Sequence, residues 1–432
     1  MSAKPCVIVV GYNGNRVRDI GKLRELCRSL YQATLILLVE KVQLEDYEVA
    51  DYVWTTSLAI ENLDAALDAV SSCLAVDEWN LLGVLPFSDR GVLLGAGLAT
   101  RHGLPGITPE QARAGLDKEI FRQLEAAAPT SPASYRPVFS CRVADLDELR
   151  QRVAALGGKA FIKPACEGAS RGCRVIHSPA ECEEAWAALE QYRAGGIIVE
   201  ELVQEAREYS WDCVAGRSWV TEKTTTEGAY RAEIQQVVPA PLTGAALTAI
   251  AAAGEHMRQL VSVDNGAYHN EVFFRQDGTT SAVETNMRPA GMHIWDLARK
   301  AFAALDAFDP WESWVRWAVE GRMAQAEPVA QGYCGIRLVS APAHGTLQHL
   351  PDIQALAASL GIEVIEGCYS KGVGDRVSSL VTDNTSFIGH VILFNPDYPT
   401  LSRQLLQLTR AIESAIVVSQ SEPVRQLEEA LP

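Results

Sequence analysis

Along the first hundred residues, short apolar runs alternate with segments whose apolar positions recur every three to four residues. That alternation is what a parallel sheet with helices on its faces requires. "CVIVVG" reads as a buried strand, "RDIGKLRELCRSL" as an amphipathic helix and "ATLILLVE" as a second strand. "ENLDAALDAVSSCLA" is a helix with Leu63, Leu67 and Val70 on one stripe, and "LLGVLPFSD" a strand ending at Ser88-Asp89. A helix over "PEQARAGLDKEIFRQL" and a Pro-rich connection, "APTSPASYRPV", follow. From residue 160 the pattern changes to hairpins, with "FIKP" and "CRVIH" as short strands. "GGIIVEELVQEAREYSWDCVAG" is a buried strand, a short linker and an alternating strand led by Glu208. Beyond residue 310 a Trp-rich helix, "DPWESWVRWAVEG", precedes strands "GYCGIRLVSAP" and "FIGHVILFN", which flank a helix near "DIQALAASLG". The expected class is α/β and α+β: an N-terminal doubly wound parallel sheet, then antiparallel sheets and a C-terminal α+β lobe.

The stretch "HNEVFFRQDGTTSAVETNMRP", residues 269 to 289, carries the most chemistry. Asp277-Gly278 between alternating runs predicts a two-residue β-hairpin turn. Facing residues then have numbers that sum to 555, so Glu271 faces Glu284 and His269 faces Asn286. Like charges facing across a strand pair cost roughly 0.2–1 kcal/mol. A hard divalent cation would offset this, because Mg²⁺ takes one or two carboxylates and leaves its other positions to water and phosphate oxygens. Arg288, two residues past Asn286, can meet an anion there. A solvated strand face with two glutamates is the plain alternative; the neighbouring Asn and Arg favour the metal-phosphate reading.

Composition narrows the partners. The chain has 432 residues, a net charge of −16 and a pI near 5.0. The length predicts several domains, and the acidity argues against nucleic-acid and anionic-membrane surfaces, which need clustered Lys and Arg. An anionic ligand must therefore meet a local basic pocket. The opening "MSAKPCVIVVGYNG" has too short an apolar run for a signal peptide, and no run reaches the ~18 apolar residues of a membrane span, so a cytoplasmic protein is expected. Ten cysteines without a C-x-x-C pair read as small buried apolar residues. "GYNGNR" lacks the third glycine of a dinucleotide-binding turn and reads as a plain strand-to-helix turn. The loop "ACEGASRG", preceded by Lys163, has the small residues whose exposed backbone N–H groups make anion sites, though such turns are also common without a ligand.

Taken in order, these elements resemble the ATP-grasp superfamily from about residue 80 to 395. "GLPGITPEQARAGLDKEIFRQL" resembles the segment in which a lysine, here Lys118, reaches the nucleotide phosphates. "FIKPACEGASRGCRVI" resembles the strand, glycine-rich flap and strand, with Lys163 as second phosphate lysine and Glu167, Gly168, Ser170 and Arg171 in the flap. "IIVEELVQEAREYSWD" is similar to the adenine hinge, which implies Glu200 or Glu201, Leu202 and Val203 at the base and Glu208 at the ribose hydroxyls. The hairpin corresponds to the family's metal pair, Glu271 and Glu284, with Asn286 and the phosphate-facing Arg288. "TEKTTTEGAYRAEIQQVVPA" and "SLVTDNTSFIGHVI" look most like carboxylate-amine ligases that include bacterial L-amino acid ligases. Those relatives often carry a histidine where this chain has Gln236. The resemblance further implies Glu233 at a substrate ammonium group and Gly291, Met292 and Trp295 around the substrate, with Arg288 and Lys163 serving catalysis.

What it implies is an ATP-dependent enzyme using one or two Mg²⁺ ions, or Mn²⁺ in their place, to join a carboxylate to an amine through an acyl phosphate. Two amino acids are the expected substrates. The alternatives are an ATP-grasp carboxylase or another acyl-phosphate-forming enzyme, and a nucleotide-binding regulator without catalysis. The expected units are residues 1–108 (Rossmann-like), 109–198 (helical segment and flap), 199–310 (nucleotide and metal binding) and 311–432 (α+β). A homodimer is the expected assembly.

Overall fold

The computed structural model describes residues 3–13, 16–168, 171–227, 231–303, 308–323 and 328–419. Four parallel strands, β1 (Lys4–Val10), β2 (Thr34–Val39), β3 (Tyr52–Thr55) and β4 (Trp79–Pro86), form the N-terminal sheet in the order β3-β2-β1-β4. Its strands are apolar throughout because both faces are covered. Val7, Val9, Leu35 and Leu37 meet Ile20 and Leu23 of helix Val17–Tyr31. Ile8, Val10, Ile36 and Leu38 meet Leu67 and Val70 of helix Leu63–Val76 and Leu94 and Leu98 of helix Gly91–His102.

A second, antiparallel sheet holds β5 (Ser140–Val143), β6 (Ala160–Pro164), β7 (Arg174–Ile176) and β8 (Ile197–Glu200) in the order β5-β8-β6-β7. The third and largest sheet begins with β9 (Ala206–Val214), β10 (Arg217–Thr225), β11 (Glu233–Val238), β12 (Ala267–Arg275), β13 (Thr280–Asn286) and β14 (Tyr333–Val339). The chain continues through β15 (Gly345–His349), β16 (Glu366–Tyr369), β17 (Arg376–Val377), β18 (Gly389–Asn395) and β19 (Val417–Ser419). The large sheet runs β13-β12-β9-β10-β11-β14-β18-β16, and β17-β15-β19 form a small sheet beside it.

The large sheet has two unlike faces. On one, Tyr209, Trp211, Cys213, Val220, Tyr268 and Val272 pack against Ile250, Ala253, Met257 and Val261 of helix Gly244–Val261. The approach is so close that a Cβ on Gly254 would lie 2.2 Å from Trp211 Cβ. Strand alternation therefore turns Glu208, Ser210, Asp212, Thr221, Lys223, His269 and Glu271 to the other face. Eight strands share that sheet, so the expected break near residue 310 is not a break in hydrogen bonding: β11 pairs with β14 from Gln235↔Arg337 to Val238↔Cys334. The Trp-rich helix, Pro310–Glu320, sits at the N-terminal sheet instead, where a Cβ on Gly83 would lie 2.8 Å from the Ala318 carbonyl.

Candidate functional site

The hairpin places Glu271 opposite Glu284 and His269 opposite Asn286. It does so by a different route from the two-residue turn that the sequence suggests. Gly278 N donates to Arg275 O at 3.0 Å and Arg275 N to Thr279 O at 2.8 Å, with Gly278 at φ +82°. This is a type I turn closed by a left-handed glycine, and it contains three residues. Near the turn the pairing sum is accordingly one lower, as in Phe274↔Thr280 and Val272↔Ala282. A bulge between Glu271 and Val272 leaves Val283 unmatched and restores the expected register. The two irregularities cancel at the glutamates.

The bulge also serves the edge of the sheet. β13 is an edge strand, and its outward carbonyls need other donors. Arg122 donates to Ala282 O and Val283 O, both at 3.0 Å, and Lys163 to Val283 O at 3.3 Å. Glu200, at the end of β8, accepts from Arg122 at 2.7 Å and pairs with Lys163 at 2.8 Å. Burial alone would raise the Glu200 carboxyl, but these two cations draw it down to about 2. Its carboxylate is thus committed to two side chains. Glu201, Leu202 and Val203 follow as a half-buried extended connection into β9, and Glu201 N donates to Phe139 O at 3.0 Å.

Lys118 opens helix Lys118–Ala127 after the cap Asp117, which accepts from Glu119 N. Its ammonium lies 3.0 Å from Glu284 Oε2 and donates to Glu167 O in the flap at 2.5 Å. Burial opposes its charge, but Glu284 more than compensates and the ammonium titrates above its ordinary range. Arg171 pairs with Glu167 at 2.8 Å. A Cβ on Gly168 would stand 3.2 Å from Asp89 Oδ2, so the flap lies over the N-terminal sheet's carboxyl end. Ser170 falls outside the described residues.

Around Glu271 the polar face is dense. His269 Nδ1 is 2.6 Å from Asp212 Oδ1 and its Nε2 3.1 Å from Glu271 Oε1. Asp212 also accepts from Ser210 at 2.7 Å and Thr221 at 2.6 Å. Burial would discharge this imidazole, yet Asp212, followed by Glu271, raises it to about 9. Lys223, buried on β10, touches Glu208 at 2.6 Å, Glu233 at 2.5 Å and Glu271 at 2.6 Å. One ammonium shared by three carboxylates leaves negative charge uncompensated. Burial and repulsion from Glu271 and Glu233 therefore push the Glu208 carboxyl up, while Lys223 and His269 hold Glu271 well below the usual range. Glu233 also accepts from Asn384 at 3.1 Å.

Asn286 donates to Glu284 at 3.1 Å and accepts from Arg288 at 3.4 Å. The Arg288 guanidinium donates from Nε to Asp89 Oδ1 at 2.7 Å and from NH2 to Asp89 Oδ2 at 3.3 Å. Burial notwithstanding, Arg288 keeps the Asp89 carboxyl low. Glu271, Glu284 and Asn286 offer oxygen ligands, and among the described residues Lys223 and His269 both bind the same Glu271 oxygen, Oε1. Such a set suits a hard divalent cation. Gln236, opposite Lys223, donates to Met292 Sδ at 3.4 Å, while its buried Oε1 has no partner among the described residues. Gly291 and Met292 are half-buried beside it. Trp295 is a correction: it has no exposed surface and packs edge-on against Trp311 and Trp314, at centroid distances of 4.9 and 5.5 Å. The apolar stripe of helix Ile294–Ala301 turns it into the core, so it supports the site from behind rather than lining it.

Asp89, Arg122, Asp212 and Lys223 belong to this site, and sequence reasoning passed over them as site residues. Asp89 had a signal, the end of a parallel strand, where ligands of such sheets sit. Lys223 had a weaker one, its place in an alternating strand.

Residues 135–299 match the ATP-grasp domain family, and the chain carries an ATP-grasp domain there. Among solved structures it is similar to an L-amino acid ligase from Bacillus licheniformis, with a TM-score of 0.77 at 14% identity over 97% of this chain and 100% of that one. It is also similar to phosphoribosylglycinamide synthetase from Anaerococcus prevotii, with a TM-score of 0.65 at 14% identity over 97% of this chain and 100% of that one. A third is the biotin carboxylase domain of the Hydrogenobacter thermophilus 2-oxoglutarate carboxylase, solved with MgADP, ADP and bicarbonate. It has a TM-score of 0.62 at 16% identity, covering 97% of this chain and 91% of that one. At these identities the likeness is one of fold. No curated protein compared by sequence matches the chain. Among the described residues, no helix is long and apolar enough to cross a membrane.

Proposed function

We propose that the protein is an ATP- and Mg²⁺-dependent ligase that joins a carboxylate to an amine, each read as an amino acid, through an acyl phosphate. Amide, ADP and phosphate are the products. The observation that carries this reading is the meeting of Glu271, Glu284, Asn286 and Arg288 at the edge hairpin of the large sheet with Lys118, which reaches Glu284 and the flap, and Lys163, which reaches Val283 O. ATP would supply the phosphoryl group and Mg²⁺ would offset its charge. In this reading Glu271, Glu284 and Asn286 hold the metal, while Lys118, Lys163 and the flap around Glu167, Gly168 and Arg171 hold the phosphates. Glu201, Leu202 and Val203 border the adenine and Glu208 the ribose. Arg288, kept charged by Asp89, neutralises the acyl phosphate and then the tetrahedral oxyanion, where preorganised charge acts most strongly. Glu233 and Gln236 are assigned to the amine substrate, with Gly291 and Met292 beside its side chain. A cytoplasmic homodimer acting on small molecules completes the proposal.

The test is phosphate release from Mg-ATP across pairs of proteinogenic amino acids. Release that needs both an acid and an amine is expected; equal release without either contradicts the reading, and dependence on bicarbonate would mark a carboxylase. Glu284→Gln should lower turnover ~10²-fold or more with the fold intact, the scale of losing one preorganised charge contact.

A further inference from the structure

Away from Glu271, a second cluster joins the loop after Arg288 to the far end of the large sheet. Glu366 on β16 and His390 on β18 share a face, since Glu366 pairs with Ile392 and Cys368 with His390. His390 Nε2 lies 3.3 Å from Glu366 Oε1, and Cys368 Sγ 3.7 Å from each His390 ring nitrogen. His293 faces His390, with ring centroids 4.8 Å apart. One ligand atom from each of His293, Glu366 and His390 lies within 4.8 Å of the others.

Two further observations set this cluster apart from a casual polar contact. Met292 and His293 are consecutive non-glycine residues with left-handed backbone, at φ 45° and 56°. Side-chain residues adopt that region seldom, and they persist in it where the surroundings demand it. Behind His293, Asp296 Oδ2 lies 3.5 Å from Nδ1 and is itself held by Lys22 at 2.7 Å. A carboxylate behind an imidazole is the arrangement that fixes a metal-binding histidine with its other nitrogen forward. Ligands at ~2.0–2.1 Å from a tetrahedral zinc stand about 3.3 Å apart, the separation of His390 and Glu366.

We propose that His293, Glu366 and His390 form a site for a zinc-class transition ion, with an open position beside Cys368, that ties the loop of Arg288 and Met292 to β16 and β18. Two imidazoles and one carboxylate select such an ion over Mg²⁺, which takes oxygen. The site shares no ligand with Glu271, Glu284 and Asn286.

The full chain, stripped with chelator and dialysed against Zn²⁺ in excess Mg²⁺, should retain one equivalent of zinc. Co²⁺ in its place should give the intense visible bands of a tetrahedral ion, with a near-ultraviolet thiolate band if Cys368 joins. His390→Ala and Glu366→Gln should each weaken binding at least tenfold. His293→Asn should do the same while keeping the backbone, because Asn tolerates the left-handed region, so it reads the site even if His390→Ala, at a buried position, misfolds. The Glu271→Gln/Glu284→Gln double variant should keep the zinc. Absence of a bound equivalent, its loss in that double variant, or undiminished binding in His293→Asn would overturn the proposal.

Discussion

Lys223 is buried among Glu208, Glu233 and Glu271, and each of those glutamates has a proposed role of its own. Removing the ammonium would leave buried carboxylates facing one another, a loss of about 3–5 kcal/mol for a broken buried pair. Lys223→Met should therefore shift urea unfolding by that amount, and a shift under about 1 kcal/mol would contradict the contacts. Glu200 makes a pH prediction. Its carboxyl is near 2 when folded and about 4.3 when unfolded. Because the folded value is depressed, its contribution is present above about pH 4.3 and fades as pH falls toward 2. Glu200→Gln should flatten stability over that window; an unchanged acid limb would mean that Arg122 and Lys163 do not hold it. The facing glutamates were legible because strand pairing is arithmetic. The contacts that compensate them were not: Lys118, read as a phosphate lysine, pairs with Glu284, and Lys223 meets Glu271 from a strand some fifty residues earlier in the chain, as Asp212 meets the His269 that flanks it.

At the level of elements, the hairpin shows how a right answer can rest on a different local geometry. The Asp-Gly signal marks a turn, but it does not separate a two-residue turn from a three-residue one closed by a left-handed glycine. The bulge at Val283 likewise has no sequence signal of its own; it is set by the donors Arg122 and Lys163 waiting at the sheet edge. Gly278 has open space where a Cβ would point, so Gly278→Ala should cost only the backbone term, about 1 kcal/mol, with Gly278→Asn recovering part of it. Thermal unfolding of the two variants decides this, and an Ala variant as stable as the parent would contradict the left-handed turn.

For the whole molecule, the proposed function depends on three sheets meeting at one site. The N-terminal sheet contributes Asp89 to Arg288, the flap sheet contributes Lys163, and the helix between them contributes Lys118. Alternating apolar patterns made the N-terminal sheet readable, since each strand and helix is local. The C-terminal strands join the large sheet through the β11–β14 pairing, which spans about a hundred residues and so has no local signal. Periodicity reports which face is buried, not which strand lies alongside. The central claim is that this shared site forms an acyl phosphate, and that step carries one oxygen of the carboxylate into inorganic phosphate. With an ¹⁸O-labelled carboxylate substrate identified by the pairwise screen, mass spectrometry of the released phosphate should find one ¹⁸O atom per turnover. Unlabelled phosphate accompanying full amide formation would contradict it.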